Sequence, residues 1–178
     1  MTAVSSLHSD RLTLVASTAA HVRTELEHPA RLALLLDAHV SGDWPSGEYD
    51  RDAMQFFLTR FEEGGEAAAG WYGWYALASA PGEQRALVGN AGFFGPPADD
   101  GTVEMGYSVL PAWQRRGYAS EMVALLAAHA FTFPGIEAIL AHTAEDNIAS
   151  SKVLARSGFA ADGPGQEPGT LRFIRRRP

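Results

Sequence analysis

The sequence predicts an α/β (α+β) fold, a single domain over residues 1–178 built on a mixed, mostly antiparallel sheet flanked by helices. Three observations lead there. The chain has 178 residues, the length of one ordinary domain, and no internal repeat or low-complexity linker divides it. A helical hydrophobic period in the first part gives way at Trp71 to three short strand-like segments. A helix, a strand and a second helix follow, which sets a strand–helix–strand unit inside the sheet.

Taken in order, Arg11 to Ala16 alternates well enough for a first strand. From Thr18 the pattern turns helical until Pro29 splits it, and the second piece, Arg31 to Ala38, is Leu-rich and expected to pack inward. Ser41 to Asp50 is a loop by its Gly, Pro and Asp content. Asp50 or Asp52 then caps a helix in which Met54, Phe57, Leu58 and Phe61 recur at helical spacing, and Gly64-Gly65 stops it. Trp71 to Ala78, Ala86 to Phe94 and Thr102 to Leu110 read as strands, with turn clusters at Pro81-Gly82 and from Pro96 to Gly101. That spacing suggests an antiparallel meander. After Pro111 a helix runs from about Gly117 to Phe131. Its polar residues share no face, so it should lie buried against a sheet. Ala138 to Thr143 reads as a strand and Ile148 to Arg156 as a helix ended by Gly158. Two weak strands, near Phe159 and over Thr170 to Arg175, finish the chain.

Composition then removes whole classes of function. With 46% apolar residues the chain has the material for a core, which excludes disorder. Asp plus Glu outnumber Lys plus Arg by 21 to 14, a net charge of −7, which argues against general nucleic-acid binding. The absence of cysteine excludes disulfide scaffolds, thiolate metal sites and cysteine nucleophiles. The first twenty residues lack a secretory pattern, and the richest apolar run, Met122 to Phe131, is interrupted by His129 and too short for a bilayer. The expectation is a soluble, cytoplasmic protein with neither nucleic-acid nor membrane partners.

The chemistry concentrates between Val103 and Glu121, VEMGYSVLPAWQRRGYASE. On the strand, Val103, Met105, Tyr107 and Val109 make an apolar face while Glu104, Gly106 and Ser108 point the other way. A carboxylate beside small residues leaves room for a ligand along that face. Gln114-Arg115-Arg116-Gly117-Tyr118-Ala119 then enters a helix whose first turn offers unpaired N–H groups and a positive dipole end. With Gly for close backbone approach and two arginines in an acidic chain, this is a place for a pyrophosphate. It is neither a Walker loop nor a Rossmann fingerprint. Taken alone, the same residues would also suit an ordinary surface turn.

The segment resembles the acyl-CoA signature of the GNAT superfamily of N-acyltransferases, in which Q/R-x-x-G-x-G/A opens a helix after a strand. A second match follows at that family's spacing, with Asn147, Ser150 and Gly158-Phe159 in EDNIASSKVLARSGF. The likeness runs from Ser9 to about Phe173, and its tone is nearest the RimJ/RimL-like branch, which acetylates protein amino termini and some small amines. It implies splayed central strands, acetyl-CoA as cosubstrate with no metal, and direct attack by a primary amine in a ternary complex. It further implies that backbone amides from Gln114 and Arg115 through Arg116, Gly117, Tyr118 and Ala119 hold the pyrophosphate, with Ser120 adding its hydroxyl. By the same likeness Val109 contacts the pantetheine and the acyl carbonyl through its backbone, and Asn147 bonds the pantetheine arm. Dimers are common in the family, so a homodimer is among the implications.

Direct attack needs a neutral amine and therefore a base, for which Glu104 is the candidate by its place on the small-residue face. The oxyanion needs a donor already in place, for which the Val109 amide is suited. The family often supplies a proton donor as a Tyr seven residues after the Asn. Here that residue is Leu154, and the RimL-like alternative is Ser150. Glu121 reads as a first-turn dipole partner, and His142 and His39 as structural or surface residues without metal spacing. The Trp44 loop and the Trp71 to Tyr75 cluster read first as packing, with an acceptor wall as a second reading of the former. Leu154 also keeps open a catalytically weak acyl-CoA sensor, and the acidic composition a partner-binding domain without cofactor.

Overall fold

A computed structural model describes residues 6–45, 47, 49–79 and 84–178 and joins eight strands in one sheet. These are β1 (Ser6–His8), β2 (Leu12–Ala16), β3 (Gly73–Ala78), β4 (Ala86–Phe93), β5 (Thr102–Val109), β6 (Ala138–Ala144), β7 (Ala160–Pro164) and β8 (Thr170–Arg176). Five α-helices accompany them: α1 (Ala19–Glu27), α2 (Leu32–Leu36), α3 (Arg51–Gly64), α4 (Tyr118–Ala130) and α5 (Ile148–Arg156). The strand order is β1-β2-β3-β4-β5-β6-β8-β7, and every pairing is antiparallel except β5 with β6. The parallel pair is the one joined by a helix, because a parallel return needs a crossover that α4 supplies.

The expected meander is there as β3, β4 and β5. The Pro81-Gly82 turn lies outside the described residues. Asp50 caps α3, its Oδ1 accepting from the N–H groups of Asp52 and Ala53 at 3.0 Å each. The four apolar residues of α3 face Tyr72 and Val22 in a cluster on one side of the sheet. On the other side α4 buries Met122, Val123, Leu126, Ala127 and Ala130 against β2, β3, β4 and β5. Of these, Met122, Val123 and Leu126 each contribute about 1.5–3 kcal/mol by leaving water. The sheet is thus covered on both faces, and β3 is buried along its whole length.

One expectation needs correction. The Leu-rich piece after Pro29 does not turn all its leucines inward: Leu32 and Leu36 are buried, but Leu34 is 81% exposed and Leu35 is 49% exposed. One helical turn can present only one face to the core, and Leu32 and Leu36, four apart, share it. The sequence reading also stops short of β1, a three-residue strand that pairs with β2 and is too short to show a period.

Candidate active site

β5 and β6 pair only over Thr102↔Ala138, Val103↔Ile139 and Glu104↔Leu140. Both strands continue, β5 to Val109 and β6 to Ala144, so beyond Glu104 they part and leave a gap in the sheet. On its other side β5 stays bonded to β4. Phe94 N–H donates to Glu104 O, and Leu110 N–H donates to Val88 O. Alternation along an antiparallel strand therefore turns the amides of Tyr107 and Val109 toward the gap. The Val109 carbonyl accepts from Gln114 Nε2 at 3.0 Å. Gln114 thus tethers the end of β5 to the loop after it.

Side chains reach the gap from both faces. From the face opposite α4, Glu104 Oε1 lies 2.8 Å from His142 Nδ1. Glu104 pairs in register with Leu140, so His142, two residues further along β6, shares its face. From the α4 and α5 side, the Tyr107 phenol lies 2.7 Å from Ser150 Oγ and 3.2 Å from the Ser150 carbonyl oxygen. Burial pushes the Tyr107 phenol up in pKa, and its bond to Ser150 pulls it the other way. The group is held protonated near neutral pH. Asn147 caps α5, its Oδ1 accepting from Ser150 N–H at 3.0 Å. Leu154 is fully buried in the core under the sheet. Its apolar character answers to packing at that position.

Two adjoining hollows meet here. One, of about 340 Å³, lies under α3 and is lined by Tyr49, Phe57, Asn90 and Phe94 among others. The second, of about 370 Å³, is bounded by Glu104, Gln166, Glu167 and Thr170. Tyr107, His142 and Ser150 line both. The wall of the first is fixed from behind by a buried carboxylate. Glu25 accepts from Trp44 Nε1 at 2.7 Å, from the Tyr49 hydroxyl at 2.7 Å and from the Tyr75 hydroxyl at 2.6 Å. Trp44 therefore serves the wall indirectly, by anchoring the loop that delivers Tyr49. Nothing in the local sequence around Glu25 marks it, since its partners come from two other segments, the loop before α3 and β3.

α4 opens without a side-chain cap. Gly117 is its N-cap at φ +87° with no side-chain cap, and the first helical bond is Glu121 N–H to Gly117 O. The N–H groups of Tyr118, Ala119 and Ser120 precede that bond. Arg115 is also left-handed at φ +60°, which turns consecutive amides toward one side. The expectation is that Arg115 and Arg116 concentrate positive charge here. Arg116 folds back over the Trp113 ring and donates to Ala112 O, while Arg11 joins from the β1–β2 side, 5.0 Å from the Tyr118 ring centre. Arg11 also holds Glu121 in an ion pair at 2.6 Å. Uncapped amides, left-handed backbone and nearby guanidinium groups fit a diphosphate.

Sequence reasoning missed His142 and Tyr107 as site residues. The Tyr lay on the apolar strand face, and the His carried no motif. Among the described residues no group of three His, Asp or Glu is placed to hold a metal, and no helix is long and apolar enough to cross a membrane.

A family profile described as an acetyltransferase (GNAT) domain matches residues 11–160. The uncharacterised N-acetyltransferase YjdG of Bacillus subtilis is 26% identical over 124 residues, 70% of this chain and 71% of that protein. Among solved structures, a GNAT-family acetyltransferase from Bordetella pertussis superposes with a TM-score of 0.66 at 23% identity, covering 96% of this chain and 99% of that one. RimL, a ribosomal L7/L12 alpha-N-protein acetyltransferase in complex with coenzyme A, gives 0.63 at 21% identity over 97% and 98% of the two chains.

Proposed function

This chain belongs to the GNAT acetyltransferase family, and from that premise we propose that it moves an acetyl group from acetyl-CoA to a primary amine by direct attack in a ternary complex. The observation that carries the proposal is the gap between β5 and β6, with a carboxylate–imidazole pair on one face and a hydroxyl pair on the other. A thioester entering from the α4 side can meet an amine entering from the α3 side only through such an opening.

Each group then has a task. The amides of Arg115 to Ser120 would hold the diphosphate, and Asn147 the pantetheine arm. Acetyl-CoA supplies the activated acyl group and a thiol as leaving group. The Val109 amide, turned into the gap, would donate to the oxyanion that forms on attack. The Glu104–His142 pair would take the proton of the amine, and Ser150, backed by Tyr107, would protonate the departing thiolate. The acceptor is a protein N-terminus, as for the RimL protein, or a small-molecule amine. Glu104 and Glu167 on the second hollow, in a chain of net charge −7, favour a cationic acceptor.

The test is release of free CoA from acetyl-CoA against a panel of amines and N-terminal peptides, with acetylated product identified by mass. Saturable acetyl-CoA binding with turnover of at least one amine is expected. Binding without turnover across the panel would favour the sensor, and no binding by folded protein would reject the proposal.

A further inference from the structure

We infer that His142, through Nε2, is the atom that takes the proton from the attacking amine, and that Glu104 is the residue that positions it. The inference rests on the acetyl-transfer reading of the cleft. A carboxylate accepts hydrogen bonds and cannot donate them, so the contact between Glu104 Oε1 and His142 Nδ1 at 2.8 Å fixes the proton on Nδ1. A neutral imidazole carries one N–H. Nε2 is then left with a free lone pair, which makes it a base.

The surroundings of that lone pair point to a ligand. Nε2 is buried and has no hydrogen-bond partner among the described residues, while His142 lines both hollows at their junction. A buried acceptor without a donor costs stability, and a catalytic role is one of the reasons a fold keeps such a group. An amine N–H is such a donor. Glu104 is less well placed for the same work. It borders only the second hollow, and one of its oxygens is engaged by the imidazole. The arrangement of base and orienting carboxylate follows the logic by which hydrolytic triads hold their histidine.

As the neutral amine nitrogen forms its bond to the acetyl carbon, its proton passes to His142 Nε2, and the resulting imidazolium stays paired with the Glu104 carboxylate. The C–S bond breaks with its electron pair on sulfur, and the thiolate takes a proton from Ser150, which is resupplied by Tyr107. The imidazolium proton then returns to solvent or to the tyrosinate. Four charged or titratable groups face the ring or share its hollow: Glu104, in contact with it, and Tyr107 on β5, Glu167 in the β7–β8 turn, and Arg172 opposite His142 on β8. Arg172 is tied to Asp162.

The experiment has a ligand-free arm and a kinetic arm. Imidazole nitrogen NMR of the ligand-free protein should find neutral His142 as the Nδ1–H tautomer, and Glu104→Gln should erase that preference. Finding the Nε2–H tautomer in the wild-type protein would overturn the inference without any variant. In turnover, His142→Gln should lower kcat on the order of 10²-fold or more with acetyl-CoA affinity unchanged, and His142→Asn should match it. Glu104→Gln should cost about tenfold, with Glu104→Asp restoring part of the loss together with the tautomer. Glu104→Gln proving more damaging than His142→Gln, or full activity in a folded His142 variant, would assign the base elsewhere. Wild-type protein that acetylates no amine would remove the parent reading and this inference together.

Discussion

The Tyr107 phenol, carried near the end of one central strand, lies 2.7 Å from the Ser150 hydroxyl on the helix that follows the other. The bond crosses the gap where β5 and β6 have parted. It brings a tyrosine to the site from a strand, while the helical position usual for one, Leu154, is spent on the core. Tyr107→Phe and Ser150→Ala should each lower kcat by about 10²-fold and leave the KM for acetyl-CoA nearly unchanged. Because the two hydroxyls act in series, the double variant should cost little more than the worse single one. Additive losses in steady-state kinetics would reject the relay.

Asn147 has two tasks that one substitution separates. Its Oδ1 caps α5, and a carboxylate oxygen can do the same, since Asp ranks with Asn as an N-cap. Only the amide can also donate to a pantetheine carbonyl. Asn147→Asp should therefore keep the thermal midpoint and weaken acetyl-CoA binding about tenfold in calorimetry, the loss of one good hydrogen bond. Asn147→Ala should do both kinds of harm. Equal affinity for the Asp variant would confine Asn147 to capping.

Much of this arrangement is written in local patterns. The α3 cap at Asp50, the meander of β3 to β5 and the Gly117 that opens α4 all follow from spacing within a few residues. So does the small-residue face bearing Glu104. What local pattern does not carry is partnership across long separations. His142 becomes a site residue only because β6 lies parallel to β5 in a register that sets it beside Glu104. Arg11 reaches the start of α4 only because β1 and β2 lie at the edge that α4 covers. Glu25 meets Trp44 and Tyr49 from the loop before α3 and Tyr75 from β3, two parts of the chain remote from its own helix. Burial of a polar group is decided by its partners, and those are remote in sequence.

At the start of α4, Gly117→Asp should abolish acetyl-CoA binding. The left-handed backbone at φ +87° costs any L-residue about 1–2 kcal/mol. Space is not the obstacle, because an added Cβ would meet only the end of the Arg11 side chain, at 3.3 Å. The decisive effect is a carboxylate placed where the diphosphate is expected, paired with the same arginine. Gly117→Ala carries the backbone cost without the charge and serves as the control. It should bind with only modest loss, and calorimetry on the two folded variants separates strain from anion competition. Equal affinities in the two would move the diphosphate site elsewhere.

The carboxylate behind the wall gives the fold a pH dependence of its own. Burial raises the Glu25 pKa above its ordinary value of 4.5, and the hydrogen bonds from Tyr49, Tyr75 and Trp44 bring it back only in part. The folded protein therefore holds that proton more tightly than the unfolded chain does. The resulting contribution to stability is complete below the unfolded value and is lost as pH rises through the folded one. Glu25→Gln removes this titration and keeps a workable geometry: its amide oxygen can face the Trp44 indole N–H, and its NH₂ can face the tyrosine hydroxyls, which accept as well as donate. Buried His21, whose pKa burial lowers, works in the opposite direction, losing stability as pH falls, and is common to both proteins. Urea unfolding from pH 4 to 8 should thus show the stability of the wild type relative to Glu25→Gln declining as pH rises. Glu25→Ala should be far worse at every pH, since each buried donor left without an acceptor costs about 1–3 kcal/mol. A difference between wild type and Gln that grows with pH would mean the three hydrogen bonds outweigh burial, and that Glu25 holds the acceptor wall as an anion.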